Sequence, residues 1–338
     1  MDGIKTLQQA ITHFADGENC RKFMVFMRWP DGKVRCPHCD CEKVTWLAKA
    51  KVYQCYGDHP KSKFSLKVGT VFEDSPIGLE KWLPAVWLLV NSKNGISSYE
   101  VHRALGVTQK TAWFMLHRIR VAMHAKSFLK MGGPEGGPLE VDEVYIGGAP
   151  KNKHRSKKPN TVIERMRECG VDTKWAIGRA SEKVPVFGML DREARQVRAH
   201  VIPEVKREVL MNAILENAEK RSRVYSDGLH AYKSLPAHDF VHETVDHMKE
   251  YVRGDVHTNG IENFWSLLKR GLKGTYVAVE PFHLDRYLDE QIFRYNNRAT
   301  KDNPLNDADR FMLAVSQIVG KRLTYKELTG KVSGAEAF

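Results

Sequence analysis

The sequence predicts an α/β domain in its C-terminal half, with a small metal-binding module and a helical segment ahead of it. Beyond residue 139, short β-branched and aromatic runs alternate with segments of helical period, the pattern of an α/β fold. Four of the six cysteines fall between Cys36 and Cys55. Between these two regions, 80–125 carries a helical pattern throughout. At 338 residues the chain holds material for about two domains.

Composition narrows the partners. Lys plus Arg number 53 against 41 Asp plus Glu, a formal charge of +12; this favours an anionic polymer or surface over a neutral small molecule. The longest apolar stretch, 82–90, is too short to cross a bilayer and contains Pro84. The first twenty residues alternate apolar positions with Asp2, Lys5, Gln8, Gln9 and Asp16, unlike a signal peptide. The expectation is a soluble, cytoplasmic protein with no membrane partner. Six cysteines are too sparse for a disulfide scaffold, and their clustering suggests a metal.

Each element follows in order. Apolar residues at helical spacing predict helices over 4–14 and 18–28, ended by the turn Pro30-Asp31-Gly32. Short runs rich in Tyr, Phe and Val over 34–72 predict a small β-rich module. Four glycines and two prolines in 131–138 read as a linker. Strands are expected at 139–146, 175–180 and 184–190, then a helix at 204–218, a strand at 224–227 and a short helix at 229–234. A strand at 241–245 and helices at 261–272 and 281–297 complete the pattern. The expected division is therefore 1–75, short helices and metal module; 76–130, helical DNA-reading region; 131–138, linker; 139–300, α/β domain; and 301–338, helical tail.

Cys36-Pro37-His38-Cys39 is a C-x2-C pair, a spacing that lets two thiolates reach one tetrahedral zinc. Cys55 and His59 form the second pair, so Cys36, Cys39, Cys55 and His59 make one structural Zn2+ site, with His38 and Cys41 as rival ligands. Within 97–120, Ser97 or Ser98 can cap a helix, Gly106 makes a tight turn and Thr108 caps a second helix. Ala112, Met115, Leu116, Ile119 and Met123 form an apolar stripe on that second helix, leaving Gln109, Lys110, His117, Arg118 and Arg120 largely outside it. This is a helix-turn-helix pattern with a DNA-reading face. The basic run with Lys151, Lys153, Arg155, Lys157 and Lys158 is a solvated loop or a phosphate-contacting one.

Asp142 lies inside an apolar strand, where a carboxylate is costly unless paired or metal-bound. Asp227 ends another strand at a glycine turn, at the edge where α/β sheets hold ligands. Glu262 lies on a helix whose Ile261, Trp265, Leu268 and Leu272 face the sheet, with Ser266 and Lys269 beside Glu262 on another face. Three converging carboxylates repel, and two hard divalent cations such as Mg2+ neutralise them while holding a phosphodiester. Lys269, two turns after Glu262, and Arg270 are candidate phosphate contacts. Glu143, Asp246, Asp255 and Glu290 are possible substitutes or supporting groups.

The segments VDEVYIGG (141–148), YSDG (225–228) and HTNGIENFWSLLKRG (257–271) resemble the DDE transposases of bacterial insertion sequences. The Cys36-Pro37-His38-Cys39 knuckle, the 64–70 stretch and the His257-Thr258-Asn259 lead-in look like the ISXO-type subgroup, and the resemblance covers about residues 15 to 300. It implies an RNase H-like catalytic domain behind a zinc ribbon and a helix-turn-helix. Asp142, Asp227 and Glu262 would be its triad, holding two Mg2+ (or Mn2+). It further implies a nucleoid-associated homo-oligomer on double-stranded DNA that binds inverted terminal repeats and cleaves and joins them to target DNA. Two departures stand out: the ribbon's second knuckle is usually C-x2-C, and the third acidic position is variable, which leaves Asn259 as an alternative third ligand. The rival reading is a DNA-binding regulator that kept the fold and lost catalysis.

Overall fold

The computed structural model describes residues 4–124, 129–147, 183–245, 254–301 and 303–330. The chain divides into two units: Met1–Lys126 with Gly271–Val277 and Asp289–Phe338, and Ser127–Arg270 with Ala278–Leu288. No helix among the described residues is long and apolar enough to cross a membrane.

In the first unit, α1 (Leu7–Phe14) starts at a Thr6–Gln9 capping box and α2 (Gly17–Arg28) at Asp16. The antiparallel ribbon β1 (Val44–Leu47), β2 (Val52–Cys55) and β3 (Lys63–Phe64) follows. Three helices come next: α3 (Leu79–Asn91), α4 (Ser98–Leu105) and α5 (Gln109–Met123). A capping box at Ser97 and Glu100 opens α4, Gly106 ends it with φ 59°, and the Thr108 side chain caps α5. The helix-turn-helix pattern is thus present at the positions the sequence assigns it. The stripe Ala112, Met115, Leu116, Ile119 and Met123 is buried.

The segment read as a tail is part of this core. The helix Asp307–Ser316 sets Phe311, Ala314 and Val315 inside it, and the Phe311 ring lies 5.5 Å from Phe23, 5.7 Å from Phe14 and 5.3 Å from Trp87. The stripe of Phe311, Ala314, Val315 and Ile318, all buried, has the i, i+3, i+4, i+7 spacing of a packed helix face. Glu290, read as a possible metal-site substitute, also lies in this unit. It is fully buried against Arg120 (2.6 Å), Arg294 and the Tyr276 hydroxyl. Burial alone would raise its carboxyl, but Arg294 and Arg120 overcome that and hold it below its ordinary value. Its charge is committed to the arginines.

The second unit is built on a five-stranded sheet in the order β6-β5-β4-β7-β8. Its strands are β4 (Leu139–Ile146), β5 (Val184–Asp191), β6 (Gln196–Val201), β7 (Arg223–Ser226) and β8 (Val241–Thr244). β5 runs antiparallel to β4 and β6, while β7 runs parallel to β4 and β8. Three antiparallel strands followed by two parallel ones is the RNase H-like arrangement. On one face, Leu139, Val141, Phe187 and Val224 pack with Leu210 and Ile214 of α6 (Arg207–Asn217) and with Tyr232 and Leu235. The opposite face receives α7 (Asn259–Gly271).

Two expectations need correction. The first is an omission: β6 was not expected, while the expected strand at 175–180 lies outside the described residues together with the basic run 151–158 and Asp246. The 131–138 segment is fixed rather than free. The Met131 N–H donates to the Asn217 carbonyl (2.8 Å), and those of Gly132 and Gly133 donate to Asp191 (3.1 Å) and Ser222 (2.8 Å). Gly132 and Gly133 have φ of 76° and 115°, so these glycines serve backbone geometry, not looseness.

Candidate functional site

The ribbon brings Cys36, Cys39, Cys55 and His59 together, with their ligand atoms all within 4.8 Å of one another. Cys39 and Cys55 place their sulfurs 3.6 Å apart, and the His59 Nε2 lies 3.4 Å from Cys36 Sγ. Tetrahedral zinc with bonds of about 2.3 Å to sulfur spaces two thiolates at about 3.8 Å, so the set fits one zinc. Backbone N–H groups of His38 and Gly57 point at Cys36 Sγ (3.5 Å) and Cys55 Sγ (3.2 Å), the support thiolates need. A Cβ at Gly57 would stand 2.8 Å from Cys39 Sγ. The rivals contribute backbone instead: the Cys41 carbonyl accepts from Cys36 N–H at 3.1 Å.

In the second unit, β4 runs beside β7 with Leu139 next to Val224 and Glu140 next to Tyr225. Continuing that register two residues brings Asp142 level with Asp227, just past the end of β7. Burial, then the charges of Glu143 and Asp227, push the Asp142 carboxyl up to about 7. Asp227 accepts the Leu229 N–H at 3.0 Å, which fixes its turn. Alternation along β4 sends Glu143 to the opposite face, where it accepts the buried Tyr232 hydroxyl at 2.6 Å. Burial, partly offset by that hydrogen bond, raises the Glu143 carboxyl, and Asp227 adds to the shift.

Glu262 is exposed in the first turn of α7 and accepts the Thr258 hydroxyl at 3.0 Å. Ile261, Trp265 and Leu268 are buried as expected, and the Trp265 indole N–H donates to Asp142 Oδ2 at 3.0 Å. Asn259, the first residue of α7, is exposed. Among the described residues, the Cys/His set alone gathers three or more ligand atoms so closely. The β4–β7 register makes Asp142 and Asp227 neighbours, and Glu262 sits one helical turn before Trp265, the residue that touches Asp142. Mutually repelling carboxylates with hard oxygen donors fit divalent cations such as Mg2+.

Sequence reasoning missed Glu140. It is 1% exposed, shares the Asp142 face of β4, and accepts the Ile261 N–H at 2.8 Å and Arg192 Nε at 2.5 Å. Arg192 also binds the Asp255 and His257 carbonyls, both at 2.7 Å, and His257 Nδ1 at 2.6 Å. A carboxylate at the start of α7 suits the positive end of its dipole, and the node ties the 255–257 segment to the sheet. The i, i+2 spacing of Glu140 and Asp142 on one strand was the available signal.

The proposed DNA-reading face is smaller than expected. His117, Arg118 and Arg120 are 0, 4 and 1% exposed; Arg118 donates to the Glu73 carbonyl and lies over Trp82 and Phe114. These polar residues fall on a helix packed on most sides, so the stripe underestimates its buried face. Lys110 is exposed near the Tyr325 ring, and Gln109 donates to Ser98 Oγ at 2.9 Å. Lys269 and Arg270 are exposed.

An RNase H-like domain with paired aspartates, joined to a thiolate-rich ribbon, defines a class of DNA-processing protein. The comparisons agree. Residues 135–296 match the ISXO2-like transposase domain and residues 15–57 the transposase zinc-ribbon domain. An uncharacterized protein in transposable element ISH50 of Halobacterium salinarum is 32% identical over 285 residues, 82% of this chain and 90% of that one. The chain belongs to the ISXO2-like transposase family. A chain of the simian T-cell lymphotropic virus intasome, solved with the PP2A regulatory subunit B56 gamma, overlaps 64% of this chain and 74% of its own. Its identity is 13% and its TM-score 0.29, and it carries no part of the assignment.

Proposed function

We propose that the chain binds the inverted terminal repeats of its own element and catalyses DNA strand cleavage and strand transfer. The observation that supports this most is that the parallel β4–β7 register sets Asp142, inside β4, level with Asp227 just past the end of β7, with the Asp142 carboxyl raised to about 7. Asp142, Asp227 and Glu262 would hold two Mg2+, with Mn2+ as a substitute and Asn259 as the alternative to Glu262. Cations held there would neutralise the carboxylates, activate a water or 3′-hydroxyl and steady the leaving oxygen.

The chain's own residues do the rest. Water displaces a DNA 3′-oxygen in line, and the freed 3′-hydroxyl then attacks a target phosphodiester by the same route, with no bond to the protein. Exposed Lys269 and Arg270 hold backbone phosphates, as does the basic run with Lys151, Lys153, Arg155, Lys157 and Lys158. End recognition falls to the ribbon and the first turn of α5, where Gln109 and Lys110 sit, since the N-terminal residues of a recognition helix reach base edges. Joining two ends requires two active sites, hence at least a dimer on DNA, in the nucleoid.

The test uses DNA from both flanks of the coding region with the full chain and Mg2+. The wild type is expected to nick and join it. Asp142→Asn, Asp227→Asn and Glu262→Gln are expected to abolish both steps and still bind. Cleavage surviving in Asp227→Asn would overturn the assignment; cleavage lost in Asn259→Ala but kept in Glu262→Gln would move the third ligand to Asn259.

A further inference from the structure

We propose that Trp265 is a positioning residue for Asp142. Its indole N–H fixes one carboxylate oxygen and leaves the other turned to the divalent cation. The inference rests on the functional reading above and adds to it a group that neither titrates nor ligates a metal.

Three features of the second unit converge on it. Trp265 is 4% exposed, and its Nε1 lies 3.0 Å from Asp142 Oδ2, within the normal range for a hydrogen bond. The residue paired with Asp142 across β4 and β5 is Gly188. A Cβ built there would stand 2.5 Å from Trp265 Cη2 and Cζ2, and 3.1 Å from Ile261 Cδ1. The indole thus lies against bare backbone directly beside the carboxylate it holds, in a gap only glycine leaves. Finally, α7 is tied to the same strand face by the Ile261 N–H on Glu140 (2.8 Å). Two donors from one helix therefore meet two carboxylates spaced i, i+2 on one strand, and this sets the helix's register against Asp142.

An aspartate carboxylate turns readily about its terminal torsion, which has broad wells. A ligand oxygen that wanders binds a cation less well, and groups that orient ligands are worth about 10–100-fold in metal affinity or activity. A neutral indole orients Asp142 without neutralising it, whereas an arginine in the same place would compete with the cation. If Trp265 served packing alone, any large aromatic ring would do.

The experiment uses the full-length, zinc-loaded chain and its Trp265→Phe, Gly188→Ala and Gly188→Ala/Trp265→Phe variants. Mn2+ binding is followed by electron paramagnetic resonance of the free ion, with melting temperature alongside. Trp265→Phe, which keeps an aromatic ring and loses the donor, is expected to bind Mn2+ about tenfold more weakly while the chain still folds, with a modestly lower melting temperature. Gly188→Ala is expected to weaken binding as well, by displacing the indole. The double variant should bind no more weakly than Trp265→Phe, because the smaller ring accommodates the methyl group and the lost interaction is the same one. Wild-type Mn2+ affinity in Trp265→Phe, with affinity lost in Asp142→Asn, would overturn this inference alone. A wild-type chain that binds no Mn2+ would overturn it together with the functional reading. Should Trp265→Phe fail to fold, nuclear magnetic resonance of the indole N–H groups of the seven tryptophans decides. Asp142→Asn must move one of those resonances, and an unmoved set contradicts the proposal.

Discussion

The zinc ribbon and the acidic site are assembled in opposite ways. The ribbon draws four ligands from residues 36–59, and their donor atoms already lie within 4.8 Å of one another. The acidic pair draws Asp142 from β4 and Asp227 from the turn after β7, 85 residues apart in sequence, and the two carboxylates repel. Soft thiolates are closed around one ion as part of folding. Hard carboxylates are held by the sheet at a cost in stability and kept available. The first set is closed by local sequence, and the second keeps two like charges side by side.

The largest break in this comparison is expected in the ribbon. Cys36→Ser or Cys55→Ser should reduce bound zinc from one to none by metal analysis and unfold the ribbon, since structural zinc supplies roughly 10–16 kcal/mol. Asp227→Asn should retain its zinc. Next comes the fully buried carboxylate Glu290, whose charge is paired. Glu290→Gln should cost about 3–5 kcal/mol in urea unfolding, because it removes the negative charge that the buried Arg120 faces. Its folded carboxyl lies below its ordinary value, so the stability it contributes is present at neutral pH and is lost as pH falls through that depressed value.

Asp142 should behave in the reverse sense. Its carboxyl is raised in the folded state to about 7, so its cost to stability is small at pH 4, grows as pH rises and is complete above about 7. Without divalent cations, Asp142→Asn is expected to stabilise the chain by up to about 4 kcal/mol at pH 8 and by little at pH 4, measured by thermal unfolding. The smallest expected effect is that of Lys110→Ala, which should lower the salt dependence of DNA binding by about one unit of slope and leave cleavage of bound DNA unchanged.

The same contrast explains what the sequence disclosed. Cys36, Cys39, Cys55 and His59 were legible because their geometry is local, and so was the capped turn at Gly106. Asp142 and Asp227 were legible as charged residues in apolar strands, although only the β4–β7 register makes them neighbours. β6 was legible but overlooked: Val197, Ala199 and Val201 alternate with Gln196, Arg198 and His200 as in a half-buried strand. Glu140, His117 and Arg118 share a cause: whether a polar side chain is buried depends on what packs over it. Glu140 is covered by α7, and Arg118 lies against Trp82 and Phe114. The 131–138 glycines misled because glycine marks positive φ as readily as flexibility.

The central claim, that the acids of the second unit hold the divalent cations used on DNA, is tested most directly by iron-directed backbone cleavage. Fe2+ takes the place of Mg2+ in the full-length, zinc-loaded chain, ascorbate and peroxide generate radicals at the bound ion, and the fragments are mapped. The account predicts cuts near residues 142, 227 and 262, abolished by excess Mg2+ and by Asp142→Asn. Cuts confined to the ribbon around residues 36–59, or a pattern unchanged in Asp142→Asn, would contradict it.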